Sequence, residues 1–153
     1  MRSTLFQTLL GCLALAGSVL VLSDCGGSSP SPTFTRDVRG AETAVGQVNR
    51  ELAKVLQNAS RETDRKLARQ LTPLAARADD QVKRLETLIP PSSVINAFSA
   101  WRSALSRRAV DLHTVIAALR SHDAGAARSA TQSLLIDSGA AATAQRQLDG
   151  GLG

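Results

Sequence analysis

Two thiols, two imidazoles and one pair of adjacent carboxylates are the side chains of this chain with most scope for chemistry. Cys12 and Cys25 both fall within the first 25 residues, so everything after them lacks a disulfide and a thiolate ligand. His113 and His122 stand nine residues apart. On one helix that spacing rotates them by about 900°, half a turn out of phase, which predicts that they point opposite ways and share no metal or haem. His113 flanks an apolar stripe beside Leu112 and reads as a boundary residue. His122, beside Asp123, reads as the finish of a helix. Asp79 and Asp80 diverge by about 100° on a helix and each has a cation four residues on, Lys83 and Arg84, so they read as a solvated ion-paired face. No Glu-x-x-His, His-Glu-x-x-His or thiolate zinc spacing occurs. Neither a Gly-x-Ser-x-Gly elbow nor a Gly-x-x-x-x-Gly-Lys-Ser/Thr phosphate loop is present. The expectation is a protein without cofactor and without catalysis.

The N-terminal elements differ from the rest. Met1-Arg2-Ser3-Thr4 is a short positive start, and Leu9–Leu22 ("LLGCLALAGSVLVL") carries no charge. That run is shorter than the roughly 20 residues a membrane span needs, but it suffices for a signal-peptide core. Gly26–Thr33 ("GGSSPSPT") cannot bury a core and predicts an extended tether of about 3 Å per residue. Positive start, apolar run, cysteine and Gly/Ser/Pro spacer together resemble a bacterial lipoprotein leader. In that family a diacylglyceryl group is added to the cysteine thiol and the leader is cut just before it. The resemblance rests on Leu22-Ser23-Asp24-Cys25, where Leu22 and Ser23 fit the motif and Asp24 departs from its small residue. It implies a signal peptide over 1–24, lipidation (palmitate among the acyl groups) at Cys25, and a lipidated cysteine plus linker over 25–33. Leu9-Leu10-Gly11-Cys12 matches the letters better, but only 11 residues precede Cys12, so it reads as part of the apolar run. Cleavage after Ser23 to a secreted product and retention of an uncleaved anchor are the alternatives; all three export the body.

From Phe34 the apolar period becomes helical, and residues 34–150 are expected to form one domain. Phe34, Val38, Ala41, Val45, Val48, Leu52, Val55 and Ala59 make a heptad seam, with Thr35 as N-cap. "QNASRETDRK" breaks it, placing a turn near Asn58–Ser60 with Ser60 capping the next helix; one long helix is the alternative. The second seam is Leu67, Leu71, Leu74, Ala78, Leu85 and Leu88, with a kink at Pro73 recapped by Thr72 and an end at Ile89 before Pro90-Pro91. Ser92 or Ser93 caps the third helix, whose seam is Val94, Phe98, Trp101, Leu105, Ala109, Leu112, Ile116 and Leu119. Asp123 caps the fourth, seamed by Ala127, Ala130, Leu134, Ala141, Ala144 and Leu148, with a kink at Asp137-Ser138-Gly139 and a frayed "GGLG" end. No strand-period stretch is found. The predicted fold is all-α, an antiparallel up-down four-helix bundle behind the signal peptide and tether.

Eighteen Lys and Arg against 13 Asp and Glu leave a net charge of +5, unchanged by removal of residues 1–24. The basic groups gather at Arg107-Arg108 and at Arg61, Arg65, Lys66 and Arg69, and suit an anionic lipid or wall polymer. Tyr is absent and aromatics are 3% of the chain, so the stacking platforms of single-strand binders are missing; DNA recognition conflicts with export. The Ala/Arg-rich heptads, "LIPPSSVINAFSAW" and "SHDAGAARSA" resemble small helical lipoproteins of high-GC Gram-positive bacteria over residues 34–149. The reading is a membrane-anchored, extracytoplasmic interaction or structural module of the cell envelope. Its expected partners are the membrane through its lipid anchor, an envelope protein, or an anionic lipid or polymer. The alternative is a small-ligand carrier using a cleft between the third and fourth helices, with Phe98 and Trp101 as ligand-binding residues.

Overall fold

In the computed structural model, which describes residues 29–153, helix α1 spans Pro32–Gln57. It opens on Ser31, not Thr35: the Ser31 hydroxyl accepts from the Phe34 amide at 3.1 Å. Pro32 in the first turn brings a pre-set φ and sacrifices only an amide that a helix start leaves unpaired. The helix thus begins within the segment expected to be linker. The seam breaks where its spacing does: a 3₁₀ turn at Ala59–Arg61 separates α1 from α2, Asp64–Glu86. Thr63 rather than Ser60 caps α2, because Ser60 falls inside the 3₁₀ turn while Thr63 has the extended backbone a cap requires.

Pro73 does not divide α2. Its neighbours Leu71, Leu74 and Ala75 are buried, while Thr72 and Pro73 face solvent, where water can serve the backbone carbonyl that proline leaves unbonded. Thr72 donates back to the Ala68 carbonyl at 2.8 Å instead of recapping. Helix α2 stops at Glu86, short of Ile89, which is 88% exposed. Helix α3, Ile95–Arg120, starts from Val94 with no side-chain cap, in place of Ser92 or Ser93. Burial sets that start, since Val94 is only 3% exposed and lies in the core.

The turn out of α3 is a Schellman motif: the His122 amide donates to Leu119 and the Asp123 amide to Ala118. His122 sits at φ 55°, the left-handed position such a turn demands, so it does finish the helix. Asp123 caps α4, Ala124–Leu152, through the Ala126 amide at 2.9 Å. Helix α4 runs unbroken through Asp137-Ser138-Gly139 as far as Leu152, so the expected frayed end is absent. Asp137 lies at the bundle edge and pairs with Arg107 across the α3–α4 seam at 3.0 Å, so it needs no unwinding to escape the core. Gly151 passes so near Val94 that a Cβ there would stand 2.7 Å from its Cγ1.

The described residues are therefore all-α, four helices in a bundle with no strand. Helix α3 packs on both α2 and α4, α1 packs on α2, and early α1 meets late α4 through the Arg39–Asp149 pair and a core cluster that holds Phe34, Val38 and Leu148. That central place explains why the buried face of α3 is broader than one seam, taking in Ala104, Arg108, Val115 and Ala118 as well. Two apolar clusters make the core. One gathers Phe34, Val38, Phe98, Trp101 and Leu148; the other gathers Leu52, Leu71, Leu112, Ile116 and Leu134.

Candidate functional site

Between these clusters lies the least expected feature of the interior. Arg108, read from sequence as part of a basic surface patch, is only 6% exposed. It stands seven residues after Trp101 and three after Leu105, on the buried stripe of α3. Its Nη2 donates to Asn49 Oδ1 of α1, while its Nε has no partner among the described residues. Gln81 of α2 carries an unpartnered buried Oε1, and all three side chains line one small cavity of about 20 Å³. No carboxylate lines it. Burial holds the Arg108 pKa below the ordinary arginine value. The spacing from Trp101 and Leu105 was the signal for this residue, and its charge concealed it.

Phe98 and Trp101 are fully buried, and Phe98 meets Phe34 edge-on with centroids 5.5 Å apart. Trp101 Nε1 has no hydrogen-bond partner among the described residues. A shallow trough does run between α3 and α4, past Ala100, Ser103, Ala104, Gly139 and Thr143, but neither aromatic lines it. The structure places them with the core cluster. Cys25, together with the whole 1–24 segment, lies outside the described residues.

The two histidines do not point opposite ways; both reach α2. His113 Nε2 lies 2.8 Å from Asp79, and His122 Nδ1 lies 2.7 Å from Asp64. The half-turn phase fails because His122 is beyond the last helical residue, in the left-handed turn. Asp79 accordingly has His113 as partner rather than Lys83, and no Asp80–Arg84 pair forms among the described residues. Among those residues no group of three or more His, Cys, Asp or Glu side chains is arranged to hold a metal ion. No described helix is long and apolar enough to cross a membrane.

Charge is organised in two ways. Along the bundle, Glu51–Arg77, Asp149–Arg39 and Asp137–Arg107 tie helices together. Asp111 faces Asp137, and burial followed by that neighbouring charge raises its pKa above the ordinary aspartate value, against the pull of Arg107. At the α2 start, Arg65, Arg69, Arg120 and His122 surround a basin of about 140 Å³. Beside it, sharing Leu119, opens a larger apolar groove of about 570 Å³ between the end of α1 and the start of α4. No seam analysis could show this groove, because it arises where α1 and α4 fail to close. No protein-family model, curated protein or solved structure matches the chain.

Proposed function

We propose that this protein is a lipid-anchored, extracytoplasmic helical bundle that acts by non-catalytic interaction at the cell envelope. The carrying observation is Leu22-Ser23-Asp24-Cys25, set between an uncharged apolar run and a Gly/Ser/Pro spacer. The spacer ends at Ser31, where α1 is capped. Cys25 to Ser31 thus forms a short lead between a thiol and a folded body, about 20 Å if extended. The buried body residues are almost all apolar, as a module held by packing alone requires. Its net charge of +5, gathered partly at the end of the bundle remote from Ser31, suits an anionic envelope partner.

The bundle is read as antiparallel up-down. As the residue number on α2 rises from Asp64 to Asp79, its α3 partner falls from His122 to His113. Early Arg39 of α1 meets late Asp149 of α4, which supports the same alternation.

The test is metabolic labelling with a radioactive or clickable palmitate. Wild type is expected to take up label and remain in the membrane fraction, while Cys25→Ala does neither. Equal labelling of both chains defeats the reading. Membrane retention of an unlabelled wild type points to an uncleaved anchor instead.

A further inference from the structure

We infer that the groove between the end of α1 and the start of α4 is a binding site for a fatty carboxylate. Its floor is Leu67 and Leu71 of α2 with Val115 and Leu119 of α3, and Leu56 and Leu135 form opposite walls. Leu135 remains 63% exposed, a large apolar side chain left partly open to water at the groove's edge. The cleft holds about 570 Å³, within the range of small-molecule sites, roughly 300–1,000 Å³. It extends from Ala127 to Leu135 on α4, about 12 Å of helix. Those dimensions suit an alkyl chain laid along the helices.

Charge selects the head group. Arg128 lines the apolar groove itself, and Arg65, Arg69 and Arg120 line the basin that adjoins it at Leu119. No acidic residue lines either space. The nearby carboxylates are already engaged: Asp64 with His122, Glu62 with Lys66, and Asp123 with the α4 amide. Arg128, which lines the groove, forms no ion pair among the described residues, so a carboxylate beside it would gain a charge-assisted hydrogen bond without displacing one. An apolar channel with the Arg128 guanidinium on its α4 wall and no acidic lining is complementary to an anionic amphiphile and hostile to a cationic one. The inference stands on the groove and does not depend on Cys25.

The experiment is photo-crosslinking of the full chain, in mild detergent, with dodecanoic acid bearing a tail diazirine, followed by peptide mapping. Adducts are expected on the peptides holding Leu56, Leu67–Leu71, Val115–Leu119 and Leu135. Unlabelled dodecanoate should compete, and dodecanol and dodecylamine should compete about tenfold less well. The exposed substitutions Leu135→Asp and Arg128→Glu should each cut labelling about tenfold while leaving the helical circular dichroism unchanged. Cys25→Ala should label like wild type, which separates this site from the anchor. Equal competition by dodecanol, labelling that survives Leu135→Asp, adducts confined to residues before Ser29, or a cross-linked second copy covering Leu135 would each overturn it.

Discussion

The residue that most departs from ordinary practice is Arg108. A guanidinium removed from water without a carboxylate partner costs several kcal/mol unless other groups receive its hydrogen bonds. Asn49 supplies one acceptor. Asn49→Leu should therefore cost about 1 kcal/mol in urea unfolding, because it removes an acceptor from a buried charge at a position that water partly reaches. The double variant Asn49→Leu/Arg108→Met should return to within about 1 kcal/mol of wild type or exceed it, since an apolar pair replaces a polar one. Additive losses in the two single variants would contradict that coupling. Asp111 gives the pH counterpart. Its folded pKa is raised, so the folded state holds the proton more tightly, and stability falls as pH rises through the window above the ordinary aspartate value. Asp111→Asn should be more stable than wild type at neutral pH by about 0.5 kcal/mol after solvent screening, and no more stable below the ordinary carboxylate range. A gain independent of pH would mean that Asp137 and burial are not its cause.

At the scale of elements, two glycines of α4 make opposite predictions. Gly139 has open space around its Cα, so Gly139→Ala should add about 1 kcal/mol through helix propensity alone. Gly151→Ala gains the same propensity but drives a methyl into buried Val94, and should lower stability by about 1 kcal/mol. Thermal unfolding of the pair checks both; equal shifts would place the end of α4 away from Val94. The four helices were legible because seam positions such as Val38, Leu71, Leu112 and Leu134 repeat at helical spacing and all are buried. Helix ends were less legible. Several Ser and Thr residues stand near each start, and backbone geometry decided between Ser31 and Thr35, or Thr63 and Ser60. Helical structure continues through Pro73 and Asp137 for another reason: flanking apolar contacts hold α2 and α4 together through locally unfavourable residues. The sites were least legible. Arg108 was hidden by its charge, and the apolar groove depends on the separation of α1 from α4, which no single segment encodes.

At the scale of the whole molecule, the proposed function divides the work between the bundle and the N-terminal segment. The bundle provides a packed body whose charge is spread over interhelical pairs and a basic end, and in the proposed function the first 25 residues carry the address. A sulfhydryl-free body is indifferent to the redox state of its compartment, which suits export. The groove lies at the end of α1 farthest from Ser31, so on this account the basic end faces away from the point of attachment. The most direct measurement is the intact mass and N-terminal peptide of the protein recovered from membranes of its own host. The account predicts a chain that begins at Cys25 and carries the added mass of acyl groups on that residue. A chain that retains Met1 and a free, alkylatable Cys25 would contradict it.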